Sequence, residues 1–145
     1  TVVNISVVTQ TSTRVWTAFL VLILSCTWAA QAHGSPGDRD GTRLKAKSFK
    51  VGRTVSDSLE APKDRSDWRY ITVKSDGQLT VALTYKPASA PLTLRLLDAQ
   101  GRELQSRRGS KGKASLKQQL KPGIYYLEVE LSSGSTHYTV SCAFK

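Results

Sequence analysis

Lys121-Pro122-Gly123-Ile124-Tyr125-Tyr126-Leu127-Glu128-Val129-Glu130-Leu131 reads as a tight turn feeding an alternating strand. Proline fixes its own φ and Gly123 can supply a positive one, so the pair suits the central positions of a type II turn. Successive strand residues point to opposite faces. Tyr125, Leu127, Val129 and Leu131 therefore share a face expected to be core, while Tyr126, Glu128 and Glu130 share one expected to be solvated.

The same period of two recurs on both sides of this stretch. Thr54 to Leu59 is the first expected strand, with Val55 its clearest inward residue. Trp68 to Val73 is the second, but its alternation is imperfect: Trp68 and Tyr70 fall on one phase, Ile71 and Val73 on the other. A bulge, or a strand covered on both faces, would explain that. Ser75-Asp76-Gly77 reads as a hairpin turn into Leu79, Val81, Leu83 and Tyr85. Leu92, Leu94 and Leu96 carry the next strand, and Asp98-Ala99-Gln100-Gly101 has the residues of a β-turn, Asp first and Gly last. A short strand follows over Glu103 to Ser106, then Ala114 to Leu120, then the opening stretch. Finally Ser132 to Ser135 turns the chain into Tyr138, Val140, Cys142 and Phe144. About eight regularly spaced strands with no helical period between them predict an all-β fold, an antiparallel sandwich or barrel.

Upstream, the chain changes character. Arg14, the apolar run Val15 to Leu24 and the small-x-small triplet Ala30-Gln31-Ala32 have the anatomy of an export signal over residues 1–32, with cleavage expected after Ala32. The leading residues 1–13 carry no reading of their own. Even from Val15 to Ala30 the apolar run falls short of the roughly 20 residues of a spanning helix. Ile23-Leu24-Ser25-Cys26 supports a competing reading, a lipoprotein box with lipidation at Cys26, and only then would the chain be tied to a membrane. In both cases Cys142 is left as a single thiol, expected to pack as a small buried apolar residue. Residues 33–50 read as a basic linker ahead of a domain over 51–145. Within that linker Asp38-Arg39-Asp40-Gly41 resembles the start of a calcium loop, but the following Thr42-Arg43-Leu44-Lys45 lacks the further oxygen ligands, so an exposed turn is expected.

Four segments carry a family resemblance. Asp67-Trp68-Arg69-Tyr70-Ile71-Thr72-Val73, Gly77-Gln78-Leu79-Thr80-Val81, Leu94-Arg95-Leu96-Leu97-Asp98-Ala99-Gln100-Gly101 and Pro122-Gly123-Ile124-Tyr125-Tyr126-Leu127-Glu128-Val129 resemble, in order, the motifs of the bacterial pre-peptidase C-terminal domain. The resemblance covers roughly Val51 to Phe144. It implies a jelly-roll-like β-sandwich on exported proteins, often beside secreted peptidases and sometimes binding polymers or calcium. The acidic linker positions that bind calcium in collagenase members have no clear counterpart here, so no metal and no cofactor are expected.

Catalytic patterns do not assemble. His33 and His137 are the two imidazoles, and no Gly-x-Ser-x-Gly elbow accompanies either. Gly109-Ser110-Lys111-Gly112-Lys113 lacks the spacing and the Ser or Thr of a phosphate loop. Glu128 and Glu130 read as surface carboxylates. A non-enzymatic binding module is therefore expected, and two kinds of surface are open to it. Tyr126, on the outward face of its strand, offers stacking area for an envelope polysaccharide or a protein partner. Alternatively the cations Arg107, Arg108, Lys111 and Lys113, with Lys117 and Lys121, bind anionic envelope polymers, lipid head groups or nucleic acid, in keeping with a net charge of +10.

Overall fold

A strand with apolar residues on one face needs a second apolar face to cover it, and the chain meets that need with two stacked sheets. In a computed structural model that describes residues 39–145, nine strands follow a single 3-10 turn at Arg43–Lys45. They are β1 (Lys47–Ser48), β2 (Thr54–Ala61), β3 (Ser66–Val73), β4 (Gly77–Lys86), β5 (Leu92–Leu97), β6 (Glu103–Arg108), β7 (Lys113–Leu120), β8 (Gly123–Leu131) and β9 (Gly134–Phe144). One sheet has the order β1-β3-β8-β5-β6 and the other β2-β9-β4-β7. Every pairing is antiparallel except that of β1 with β3. The fold is a jelly-roll-like β-sandwich, as expected. The export signal, Cys26 and His33 lie outside the described residues.

The alternating residues meet between the sheets. Leu79, Val81, Leu83 and Tyr85 from β4 face Leu92, Leu94 and Leu96 from β5 and Leu127, Val129 and Leu131 from β8, all buried. Each such side chain contributes on the order of 1.5–3 kcal/mol through removal from water. Cys142 belongs to this core, where burial pushes its thiol up from its ordinary value and its Sγ lies 3.6 Å from the Lys50 carbonyl. It packs as an apolar residue, not as a nucleophile.

Several expectations are corrected. Ser75 to Gly77 is not a hairpin turn, because β3 and β4 belong to different sheets. The turns after β7 and β8 likewise cross the sandwich, and among consecutive strands only β5 and β6 pair directly. Their connection keeps the expected turn: Gly101 has φ +86°, and the Asp98 carboxylate accepts the Gln100 and Arg102 amides, each at 2.9 Å. Gly123 is not at positive φ but starts β8, paired with Val73. The corner before it is instead held by the Tyr125 hydroxyl, which donates to the Lys121 carbonyl at 3.0 Å. On β2, Leu59 rather than Val55 is the buried anchor.

The expected linker is also different over its described part. From Arg39 onward it is an arm laid along β3. The Trp68 amide donates to the Asp40 carbonyl at 2.9 Å, the Phe49 amide donates to the Tyr70 carbonyl at 2.8 Å, and the Phe49 side chain enters the core. Asp40 is buried rather than exposed in a turn. Backbone groups along the edge of β3 require partners, and this arm supplies them.

Candidate functional site

Three polar constellations stand out: one inside the sandwich, one on the outer face of the five-stranded sheet and one in a cleft at an end of the four-stranded sheet. The inner one explains the broken alternation of β3. Asp67 and Arg69 are in phase with Ile71 and Val73, so this strand turns two charged residues inward. No bulge is involved, since β3 pairs with β8 in unbroken register from Ser66 to Val73.

Such burial is tolerable only with partners. The Tyr138 hydroxyl, from the inward face of β9, donates to Asp67 Oδ2 at 2.5 Å. The Arg69 guanidinium lies 2.8 Å from Asp57 Oδ2 on β2 and 3.8 Å from Asp40 Oδ2 on the arm, while Lys47 Nζ approaches Asp40 Oδ1 at 3.0 Å. Burial, reinforced by Asp40, Asp57 and Asp64, pushes the Asp67 carboxyl up to about 7 against the pull of the Tyr138 hydrogen bond. Burial and the same carboxyl also push the Tyr138 phenol above its usual range. Four chain segments, the arm, β2, β3 and β9, are joined here through side chains.

The outer face of the five-stranded sheet carries a second ion network. Arg95 lies 2.9 Å from Glu128, 2.7 Å from Glu130 and 3.4 Å from Glu103. Glu128 is therefore not a solvated carboxylate: it is buried, and burial raises its pKa despite Arg95. Tyr126 is on this same face, half-buried beside Tyr70, with the Arg43 guanidinium 5.5 Å from its ring centroid. A cation over the ring is a favourable contact within the protein, and it occupies a face that a stacking ligand would use.

The third constellation is a cleft of about 460 Å³ at one end of the four-stranded sheet. Its lining includes Ala88, Gly112 and the strand positions Tyr85 and Tyr138, whose own side chains turn inward to the core, and its margin carries the exposed Lys86, Lys111, Lys113 and His137. Ser56, Thr84 and Thr139 add hydroxyls, two of which bond each other at 2.9 Å. Lys86 and His137 are brought side by side by the β4–β9 register, and Lys113 stands across from Thr84.

The tight turn between β6 and β7 delivers the other cation. Ser110 and Lys113 exchange backbone hydrogen bonds of 2.8 and 3.0 Å, with Lys111 at φ +50° and Gly112 at φ +73°. Both central residues thus have the left-handed backbone of a type I′ turn, where Asn and Gly are preferred. A lysine there costs on the order of 1 kcal/mol. Lys111→Asn is accordingly expected to raise stability by about that amount while weakening anion binding. Urea denaturation together with a binding titration checks it, and a fall in stability would contradict the strain at this position.

The four cations of the expected loop are therefore divided. Lys111 and Lys113 line the cleft; Arg107 and Arg108 do not, and Arg107 donates to its neighbour's carbonyl, that of Ser106, at 3.1 Å. Lys86 and His137 complete the cleft from distant strands. Their contribution follows from the pairing of β4 with β9, which no local motif signals.

Paired through sheet-crossing connections, these strands define a class of compact β-sandwich modules. Within it, the chain has the fold of the pre-peptidase C-terminal domain. It is similar to that domain of the collagenase from Bacillus anthracis, with 19% identity over 67% of this chain and 93% of that chain and a TM-score of 0.60. More remote likenesses include the Yersinia pseudotuberculosis-derived mitogen, with 15% identity over 63% of this chain and 83% of that one and a TM-score of 0.47. A periplasmic inhibitor of g-type lysozyme from Aeromonas hydrophila shows 12% identity over 69% and 99%, with a TM-score of 0.44. No family model and no curated protein sequence matches the chain.

A fold of this kind raises the question of calcium. Asp40, Asp57 and Asp67 place carboxylate oxygens within 4.8 Å of one another. Calcium takes six to eight oxygen ligands at about 2.3–2.6 Å. Here the Arg69 guanidinium is already bonded to Asp57 and lies close to Asp40, and the Tyr138 hydroxyl engages Asp67. Arg69 and Lys47 set two cations against Asp40 and Asp57, burial favours the neutral form of Asp67, and the residues do not fit a bound calcium ion.

Proposed function

We propose that the chain is an exported, non-catalytic binding module whose cleft at the end of the four-stranded sheet takes acidic polysaccharide. The observation that carries this reading is the convergence of Lys86, Lys111, Lys113 and His137 on one cleft. Carbon surface from Ala88 and the methyl groups of Thr84 and Thr139 suits the apolar faces of a sugar ring, the hydroxyls suit sugar hydroxyls, and the lysines suit carboxylate or sulfate groups. Export is supported by the signal-like anatomy of residues 14–32. Among the described residues, no helix is long and apolar enough to cross a membrane. The non-catalytic reading is supported by the cleft lining, which has no carboxylate beside His137 to form an acid–base pair.

Retention on immobilised polyuronate, with a neutral glucan as control, tests this reading. The protein is expected to bind the acidic matrix at low salt, to elute as salt rises and to pass through the neutral one. The Lys86→Ala/Lys113→Ala variant is expected to elute at markedly lower salt. Equal retention on the neutral glucan, or unchanged elution of the variant, would overturn the reading. An effect produced instead by Arg107→Ala/Arg108→Ala would move the anion site to the end of β6.

A further inference from the structure

The four-stranded sheet has an unusual outer face, and strand register fixes its layout. Nearest the cleft, Ser58, His137 and Lys86 form one row across β2, β9 and β4. The next row is Ser56, Thr139, Thr84 and Lys113, and beyond it Thr54, Ser141, Ala82 and Ser115. Then come Ala143, Thr80 and Lys117, and finally Gln78 beside Gln119. These side chains are exposed or half-exposed, while those alternating with them on β4 and, for the most part, on β9 and β7 are core. In these rows nothing aliphatic exceeds alanine and there is no Phe, Tyr or Trp.

Charge on this face is one-sided. The rows hold the cations Lys86, Lys113 and Lys117 with His137, and the carboxylate in phase with them is Glu60, one row beyond Ser58 at the cleft end of β2 and away from the β4–β7 side. Lys113 and Lys117 lie on the same side of β7, four residues apart, which at strand rise is about 13 Å. The cleft is therefore continuous in register with a hydroxyl-lined track that has a second cationic point along it.

Resting on the cleft reading above, we infer that the ligand is an extended, linear acidic polysaccharide that leaves the cleft along β4 and β7 and reaches Lys117. Small hydroxyl side chains keep the track shallow, so a chain can lie along it while its hydroxyls exchange hydrogen bonds with Ser115, Thr80 and Thr84. Single-stranded nucleic acid fits less well, because its sequence-tolerant binding uses aromatic side chains on which successive bases stack, and the track from Lys113 to Lys117 has none. Neutral glucans lack the charge that Lys113 and Lys117 complement.

The test compares a diuronide with an octauronide, and both with single-stranded DNA of matched charge, by fluorescence anisotropy at fixed salt. Tighter binding of the longer uronide is expected. Lys117→Ala, an exposed change checked by an unaltered Tm, is expected to weaken the octauronide by about threefold to tenfold and leave the diuronide unchanged. Lys113→Ala is expected to weaken both. If Lys117→Ala changes neither while Lys113→Ala weakens both, the track is overturned and the cleft stands. If Lys113→Ala also changes neither, the cleft reading itself fails. DNA binding as tight as the octauronide's would overturn the polysaccharide as the occupant.

Discussion

Arg69→Ala is expected to lower the free energy of unfolding by about 3–5 kcal/mol, as expected when one member of a buried ion cluster is removed and its partners stay behind. Asp57 and Asp40 would lose the guanidinium at 2.8 and 3.8 Å. Water cannot replace it freely, because Arg69 is only 5% exposed and Asp40 4%. Urea denaturation at neutral pH measures the loss, and Arg69→Met separates missing charge from missing volume. The double variant Asp57→Asn/Arg69→Ala is expected to recover part of the loss, since one uncompensated carboxylate is then gone. Millimolar calcium is expected to leave the Tm of the unaltered protein unchanged, because Arg69 and Lys47 already supply cationic charge to the cluster. A loss below about 1 kcal/mol would mean that the cluster contributes no more than a surface ion pair.

The second large effect is a pH dependence that Asp67 introduces. Its carboxyl is near 3.8 in the unfolded chain and about 7 in the fold. The folded state therefore holds this proton more tightly. The resulting stabilisation is fully present below about pH 4, declines as pH rises toward 7 and is gone above it. At 1.36 kcal/mol for each pH unit of difference, the full span is about 4 kcal/mol. Asp67→Asn keeps an oxygen to accept the Tyr138 hydroxyl but has no proton to lose. The variant is expected to match the original protein near pH 4 and to exceed it by up to that amount at pH 8. Denaturation midpoints at a series of pH values decide the matter: a difference that does not grow with pH would show that Asp67 titrates as an ordinary surface carboxyl.

These two residues also show where sequence reading stops. The period of two placed the eight long strands, because burial on one face writes itself directly into the alternation of residues such as Leu79, Val81, Leu83 and Tyr85. It did not say which strands share a sheet. Turn chemistry is local, so Ser75-Asp76-Gly77 reads the same whether it folds a hairpin or carries the chain across the sandwich. Asp67 and Arg69 broke the alternation of β3 because that strand's inward face begins in a polar cluster supplied by β2, β9 and the arm. Glu128 looked solvated because Arg95, which sits opposite it, lies on another strand.

The candidate site was half legible for a similar reason. Lys111 and Lys113 lie in one short basic turn and were visible there. Arg107 and Arg108 looked equivalent to them in sequence, yet β6 belongs to the other sheet and leads them away from the cleft. Lys86 and His137 become partners only once β4 and β9 are paired. The phase of β8 sets Tyr126 on an outward face, but the arm that brings Arg43 over its ring has no apolar period to mark it as structured.

The binding face itself is the central claim, and amide chemical-shift mapping with an acidic oligosaccharide tests it most directly. Shifts are expected at Thr84, Lys86, Lys113, Lys117, His137 and Thr139, on the outer face of the four-stranded sheet, with the Trp68 indole and the Tyr126 amide unmoved. Shifts concentrated at Trp68, Tyr70 and Tyr126 would contradict the account and place the ligand on the opposite sheet.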